Sequence, residues 1–349
     1  MFRRLWMRLG FLAAALVVAM PASAQKPAPP IHRIVAVGDL HGDFGAWRAI
    51  ALDAGLVDAK GRWAGGKTVL VQTGDVVDRG PDSLKIVQDL MRLQREAQRA
   101  RGRVITLVGN HEAMNVTDDL RYVAAGDYAA FVDAKSEQLR ELAYQRNKAL
   151  IETTYRARDA KATDEAIKAA WLKVTPLGLL EHQAAWHPDG RIGKWVIGNP
   201  AVVELDGTLF LHGGLCPPYA GQPLADLNRQ VAAALAAHAT APEAIINDQA
   251  GPLWCRNLAT PPAPGTPTIA QQLDQFLPAY GAKRIVIGHT PILSGIAITE
   301  GGRLVRIDTG ISSVFGGTLS YLEILDGNLV PHVVARPPPG APPGQKEEK

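Results

Sequence analysis

The alternation of apolar and polar positions is first clear at residue 33, where the apolar run "RIVAV" (33–37) stops at "GDLHGD" and a helical period begins near Phe44. The order repeats. "TVLVQ" (68–72) runs into "TGDVVDRG" and a helical period from about Ser83 to Ala100, and "RVITLV" (103–108) runs into "GNHE". Strands covered on both faces read as continuous apolar runs, and amphipathic helices between them predict βαβ units with largely parallel strands, an α/β protein. Two further runs, "GTLFLHGG" and "RIVIGHTP", end on His212 and His289. Ligands of such sheets collect at the carboxyl ends of strands, so five strand ends each deliver a ligand-type side chain beside a glycine. A helix over 269–280 and closing strands in "RLVRIDTGIS", "LSYLEIL" and "LVPHVVA" complete the pattern.

Between residues 118 and 186 the pattern changes to alternating charges and strong helix formers, which predicts two or three amphipathic helices inserted between the third and fourth strand ends. Such an insertion can cap a site and shape access to it. The ends differ again. Arg3, Arg4 and Arg8 precede an uncharged run that closes on Ala22-Ser23-Ala24, the form of a cleaved export signal over 1–24, and the run is short for a membrane span. The basic segment also has a weak twin-arginine character, which would mean export after folding and metal loading. Residues 25–32 and the proline-rich 336–349 have the composition of disordered tails around a domain spanning 33–335. The expected location is the periplasm, with secretion as the other possibility and no stable membrane insertion once the signal is removed.

Composition narrows the partners. The chain has 349 residues, 47% hydrophobic and 20% charged, ordinary for a protein with a sizeable core. Without residues 1–24 it carries 34 basic and 34 acidic residues, a balance that favours neither nucleic acid nor an anionic membrane surface. Cys216 and Cys255 could pair in an oxidising compartment or stand as separate thiols. Oligomeric state is not legible.

Charged side chains placed beside a buried sheet need an offsetting charge, and divalent cations supply one: a carboxylate between two ions stays ionised without solvent. Asp75 is the candidate bridge. Asp39 and His41, at i and i+2, could face one ion, while Asn110 adds an amide oxygen and His212 and His289 add imidazole nitrogens. Mixed nitrogen and oxygen donors suit Mn²⁺, Fe or Zn²⁺ better than Ca²⁺. Two such ions are suited to phosphoester hydrolysis.

"GDLHGD", "GDVVDRG", "GNHE", "HGG" and "GHTP", in this order, resemble the calcineurin-like metallophosphoesterases, specifically the phosphoprotein phosphatase branch, over roughly residues 33–325. The resemblance implies a two-sheet sandwich flanked by helices. It also implies two divalent ions, one on Asp39, His41 and Asp75, the other on Asp75, Asn110, His212 and His289. It makes His111 the acid that protonates the leaving oxygen, oriented by Asp78, Arg79 a phosphate ligand, and Asn110 a substrate-binding group as well as a metal ligand. Water shared by the ions would attack phosphorus directly, with no phosphoenzyme. Pro291, where nuclease-type relatives carry a second histidine, favours the phosphatase branch. "GPLWCR" and "DTGISSVFGG" are similar to the bacterial Shewanella-like protein phosphatases, and that comparison makes Arg256 a second phosphate ligand.

The expected substrate is therefore a phosphoprotein or phosphopeptide monoester, with a lean to phosphotyrosine. A diadenosine tetraphosphate or other nucleotide hydrolase is the alternative within enzymes, and a non-catalytic metal-binding module the alternative outside them. His32, His182, His187, His238 and His332 read as structural. Glu112 is expected to hold a ligand in place, Asp308 to support a strand end, and Trp254 is a candidate pocket wall.

Overall fold

The computed structural model describes residues 31–217 and 219–338, and the statements below concern these. The expected export signal lies outside them, as do residues 25–30 and 339–349.

Ten strands form two five-stranded sheets. The first takes β1 (Arg33–Val37), β2 (Val69–Gln72), β3 (Arg103–Thr106), β9 (Ser320–Leu325) and β10 (Asn328–Val333), in the order β10-β9-β1-β2-β3. The second takes β4 (Val202–Leu205), β5 (Thr208–Leu211), β6 (Arg284–Ile287), β7 (Ala297–Thr299) and β8 (Leu304–Arg306), in the order β4-β5-β6-β8-β7. Period-2 alternation divides each strand between two cores. Ile34, Ala36, Val69 and Val71 meet Phe210, Val286 and Val305 between the sheets. The alternate residues, Val35, Val37 and Leu70 on one sheet, Leu209, Leu211 and Ile285 on the other, face the helices.

The expected parallel strands are found at the centres, β1-β2-β3 and β5-β6-β8. The margins are antiparallel, and the reason is local. β4–β5 and β9–β10 are joined by Asp206-Gly207 and Asp326-Gly327, whose φ values of 49° and 81° and of 49° and 82° are those of tight hairpin turns.

Helix α1 (Phe44–Asp53) starts at Asp43, whose Oδ1 accepts from Ala46 N at 2.9 Å. In α2 (Ser83–Arg99), Ile86, Val87, Leu90, Leu93 and Ala97 make one buried stripe. α3 (Asn110–Val116) follows β3 directly. The insertion holds four helices rather than two or three: α4 (Ala125–Ala129), α5 (Ser136–Arg156), α6 (Asp164–Val174) and α7 (Leu179–Trp186). α4 spans only five residues, too short to leave a periodic signature. Tyr144, Ile151 and Ile167 give α5 and α6 a small core of their own. α8 (Arg191–Ile197), α9 (Leu224–Ala236) and α10 (Ile269–Ala279) cover the second sheet's side of the larger core.

Both expected tails begin inside the fold. Ile31 packs on the inter-sheet core and His32 pairs with Asp326, while Arg336 donates to Ile311 O at 2.7 Å.

Candidate active site

Six strand ends open on one rim. β1 leads to Asp39 and His41, β2 to Asp75, β3 to Asn110 and His111, β5 to His212, β6 to His289 and β8 to Asp308. All are buried, none more than 7% exposed. Strand geometry alone does not aim the side chains; left-handed backbone does. His41, Asp75, Asp78, Arg79 and His289 have φ of 41°, 55°, 69°, 70° and 67°. Each such non-glycine residue costs about 1–2 kcal/mol.

The loops are locked in that form by hydrogen bonds. Leu40 N and His41 N donate to Asp75 O at 2.9 and 3.0 Å, and Gly80 N to His41 O at 3.0 Å. The Glu112 carboxylate accepts from Asp75 N, Val76 N and Gly109 N at 2.9, 2.8 and 2.8 Å, the supporting role expected of it. Gly109 is required by close approach: a Cβ there would lie 2.4 Å from Asp75 N.

The donor atoms have a common focus. His212 Nδ1 donates to Thr73 O at 2.8 Å, so a neutral His212 turns the lone pair of Nε2 inward. Around that atom stand Asn110 Oδ1 at 2.9 Å, His289 Nδ1 at 3.1 Å and Asp75 Oδ2 at 3.3 Å. Two oxygen acceptors and a second imidazole nitrogen then face one nitrogen that has at most one proton to offer. A divalent cation satisfies all four, and the set fits one chemically. On the other side of Asp75, His41 Nδ1 bonds Val77 O at 3.0 Å and turns Nε2 toward Asp75 Oδ2 at 3.7 Å. His41, Asp75 and His111 offer ligand atoms within 4.8 Å of one another, as do Asp75, His212 and His289. Asp39, expected beside His41 and Asp75, accepts from His289 N at 3.1 and 3.2 Å, and His111 also stands close to His41 and Asp75.

His111 is already committed at one nitrogen. Its Nδ1 meets Asp78 Oδ2 at 2.6 Å, and Asn115 Nδ2 holds Asp78 Oδ1 at 2.9 Å. Asp78 N donates to Ser83 Oγ at 3.0 Å, and Ser83 donates through N and Oγ to Asp127 of α4, both at 2.9 Å. Burial disfavours a His111 cation, but Asp75 and Asp78 outweigh it and raise the pKa above the ordinary histidine value. For Asp75, burial opposes ionisation and His212 and His111 prevail, holding the pKa well below the carboxylate range. Asp39 moves the other way, raised by burial and then by Asp308 and Asp75. Asp308 is pushed up to about 6 by burial and by Asp75, so this residue, expected to be structural, is electrostatically part of the cluster.

Arg79 and Arg256 stand exposed at the rim. Among the described residues neither guanidinium pairs with a carboxylate. The Arg79 guanidinium lies over the Tyr122 ring, 3.9 Å from its centre, and the Arg79 backbone N–H donates to Tyr122 O at 2.9 Å. Arg256 is next to Cys255, which forms a disulfide with Cys216. Trp254 stands edge-on to His289 at 5.8 Å. Tyr122, Asp127 and Phe315, the last 5.0 Å from the His41 ring, had no role in the sequence reading. Tyr122 and Asp127 carry no spacing signal, while Phe315 falls inside the quoted "DTGISSVFGG" segment.

A sandwich whose strand ends converge on clustered carboxylates, imidazoles and one amide, with two free guanidinium groups at the mouth, defines a metallophosphoesterase. Residues 32–293 match the calcineurin-like phosphoesterase family. Shewanella-like protein phosphatase 2 of Arabidopsis thaliana is 33% identical over 319 residues, covering 88% of this chain and 78% of that protein. An uncharacterised protein of Schizosaccharomyces pombe is 30% identical over 300 residues, covering 83% and 76%. The structure of a cold-active protein-tyrosine phosphatase from a psychrophilic Shewanella species superposes with a TM-score of 0.64 at 23% identity, over 87% of this chain and 81% of that one, a likeness of fold. The chain belongs to the calcineurin-like phosphoesterase family and, within it, to the Shewanella-like protein phosphatases; it is a metal-dependent phosphatase.

Proposed function

We propose that the protein hydrolyses phosphomonoesters on proteins or peptides, with aryl phosphate of the phosphotyrosine type favoured. The observation that carries this is the pairing of His111 with Asp78 at 2.6 Å on the edge of the donor cluster. It places a correctly oriented, raised-pKa imidazole where a leaving oxygen needs a proton. Asp39, His41 and Asp75 would hold one divalent ion, and Asp75, Asn110, His212 and His289 the other, with Mn²⁺, Fe or Zn²⁺ suited to these donors. When bound, such ions supply Lewis acidity toward water and phosphoryl oxygens. The chain's own groups do the rest. Arg79, steadied by Tyr122, and Arg256 bind phosphate oxygens from the open side. His111 keeps Nδ1 on Asp78 and gives the proton on Nε2 to the departing oxygen. Leu293 and the half-buried Phe315 converge on Gly310, and Phe315 stands beside His41, so the two offer an aryl group an apolar wall.

The test is a rate comparison on phosphotyrosine, phosphoserine and phosphothreonine peptides and on diadenosine tetraphosphate, with Mn²⁺, Zn²⁺ and iron supplied separately. The expected order places phosphotyrosine peptide first; faster turnover of diadenosine tetraphosphate would replace this reading with nucleotide hydrolysis. Asp75→Ala should lose both metal and turnover, and metal-dependent hydrolysis surviving in that variant would refute the site. Export to the periplasm belongs to the same proposal. The disulfide suits an oxidising compartment, and the amino-terminal sequence of the mature protein tests it.

A further inference from the structure

A second concentration of charge lies away from the strand ends, between α1, α2 and the loop around Gly61. Arg48, on α1, is only 5% exposed, yet among the described residues it makes no hydrogen bond and no ion pair. Its stem is buried but none of its nitrogens is wholly closed off from solvent, so the guanidinium opens onto the surface, where a charge so nearly buried is ordinarily paired. Arg48 lines a groove of about 520 Å³ together with Lys60, Arg62, Asp89, Arg92 and Glu96.

The two carboxylates of the groove are not available to it. Asp89 accepts from Trp47 Nε1 at 2.9 Å and pairs with Arg92; Glu96 accepts from Arg92 Nη1 at 2.7 Å and from Trp63 N at 2.8 Å. Arg92 also donates from Nη2 to Gly61 O at 2.7 Å, and Arg62 is held by Asp58 at 2.7 Å. That leaves the Arg48 guanidinium and the Lys60 ammonium, two positive charges without a counter-charge on one concave surface.

We propose that this groove binds a phosphate group, free or borne on a small organic skeleton. The guanidinium fork matches two phosphate oxygens, and two unpaired cations match the charge of a phosphate at neutral pH. The volume lies within the range of small-molecule sites, and Phe44 gives the groove an apolar side for a skeleton. None of these residues belongs to the metal cluster, so the proposal stands independently of the substrate assigned there.

The experiment is calorimetric titration of the metal-loaded full chain with inorganic phosphate and, in a second arm, with phenylphosphonate, whose P–C bond resists hydrolysis. The wild type should show a class of sites beyond the catalytic one. Arg48→Met should weaken that class roughly tenfold or more while leaving the other unchanged. The exposed change Lys60→Ala should weaken it a few-fold. Tighter phenylphosphonate in this class assigns an organic phosphate; equal affinity assigns the free anion. Tungstate soaked into crystals should give an anomalous peak against Arg48. One class of site in wild type and both variants, or tungstate at the metal cluster alone, overturns the proposal. So does a lower melting temperature of Arg48→Met without phosphate, because a variant that only loses an unpaired charge keeps or gains stability.

Discussion

His182 is expected to make the fold acid-sensitive without touching the donor cluster. It is 2% exposed on α7, among the rings of Tyr128 at 5.4 Å, Phe131 at 5.2 Å and Trp186 at 5.8 Å, and its Nδ1 has no hydrogen-bond partner. Burial alone lowers its pKa from 6.5 to about 4. The folded form therefore binds this proton less readily than the unfolded chain. The stability at stake is intact above pH 6.5 and is lost as pH falls toward 4. With those two values the linkage relation gives a negligible loss at pH 7 and a loss of about 2–3 kcal/mol at pH 4.5. His182→Leu keeps an apolar side chain of similar size and removes the titration.

Urea unfolding of wild type and His182→Leu at pH 7 and pH 4.5 isolates the effect. Other groups, the metal cluster included, titrate over the same range, but they do so equally in both proteins and cancel in the difference. The wild type should lose about 2 kcal/mol more than the variant between the two pH values. Equal losses, within about 0.5 kcal/mol, would show that the imidazole reaches solvent or a partner and that the packing of α4 against α7 is not as described.

The other predictions concern the site and its supports. His111→Ala should retain metal and lose about 10²- to 10⁴-fold in turnover on phosphopeptides, with a smaller loss on p-nitrophenyl phosphate, whose leaving group needs no proton; both rates are read in one continuous assay. Ser83→Ala removes the acceptor for Asp78 N and the donor to Asp127, so it should cost about 1–3 kcal/mol in urea unfolding and lower kcat with metal content unchanged. Replacing Cys216 and Cys255 by serine opens a loop closed across 39 residues and should cost about 2–4 kcal/mol, read as an earlier urea midpoint.

The strand ends were legible because each couples an apolar run to a glycine-flanked polar cluster, and a run of "RIVAV" type has few other uses. Their convergence was legible only through the resemblance, since periodicity places Asp39, Asn110 and His289 at strand ends without saying that the ends meet. The antiparallel margins were missed although "LDGT" and "LDGN" carry hairpin turns, because the βαβ reading of the centre was extended outward. Asp127 and Tyr122 had no signature at all. Their contacts, Asp127 with Ser83 and Tyr122 with Arg79 and the His111 ring, exist only once the insertion folds back on α2 and the strand ends.

Strain and charge at the rim have a common explanation. Asp39, Asp75, Glu112 and Asp308 are four carboxylates no more than 4% exposed, and no lysine or arginine pairs with them among the described residues. Five residues of the strand-end loops, Asp75 among them, hold left-handed backbone. A cluster designed only for stability would replace such acids with apolar side chains and such residues with glycine. Neither has happened, and the supports run the other way: Glu112, Thr73 O, Val77 O and Ser83 each use a hydrogen bond to fix the direction of a donor atom or its loop. Bound cations would relieve the repulsion among these acids and make use of the strained geometry, so metal binding and the stability of this rim are expected to rise and fall together.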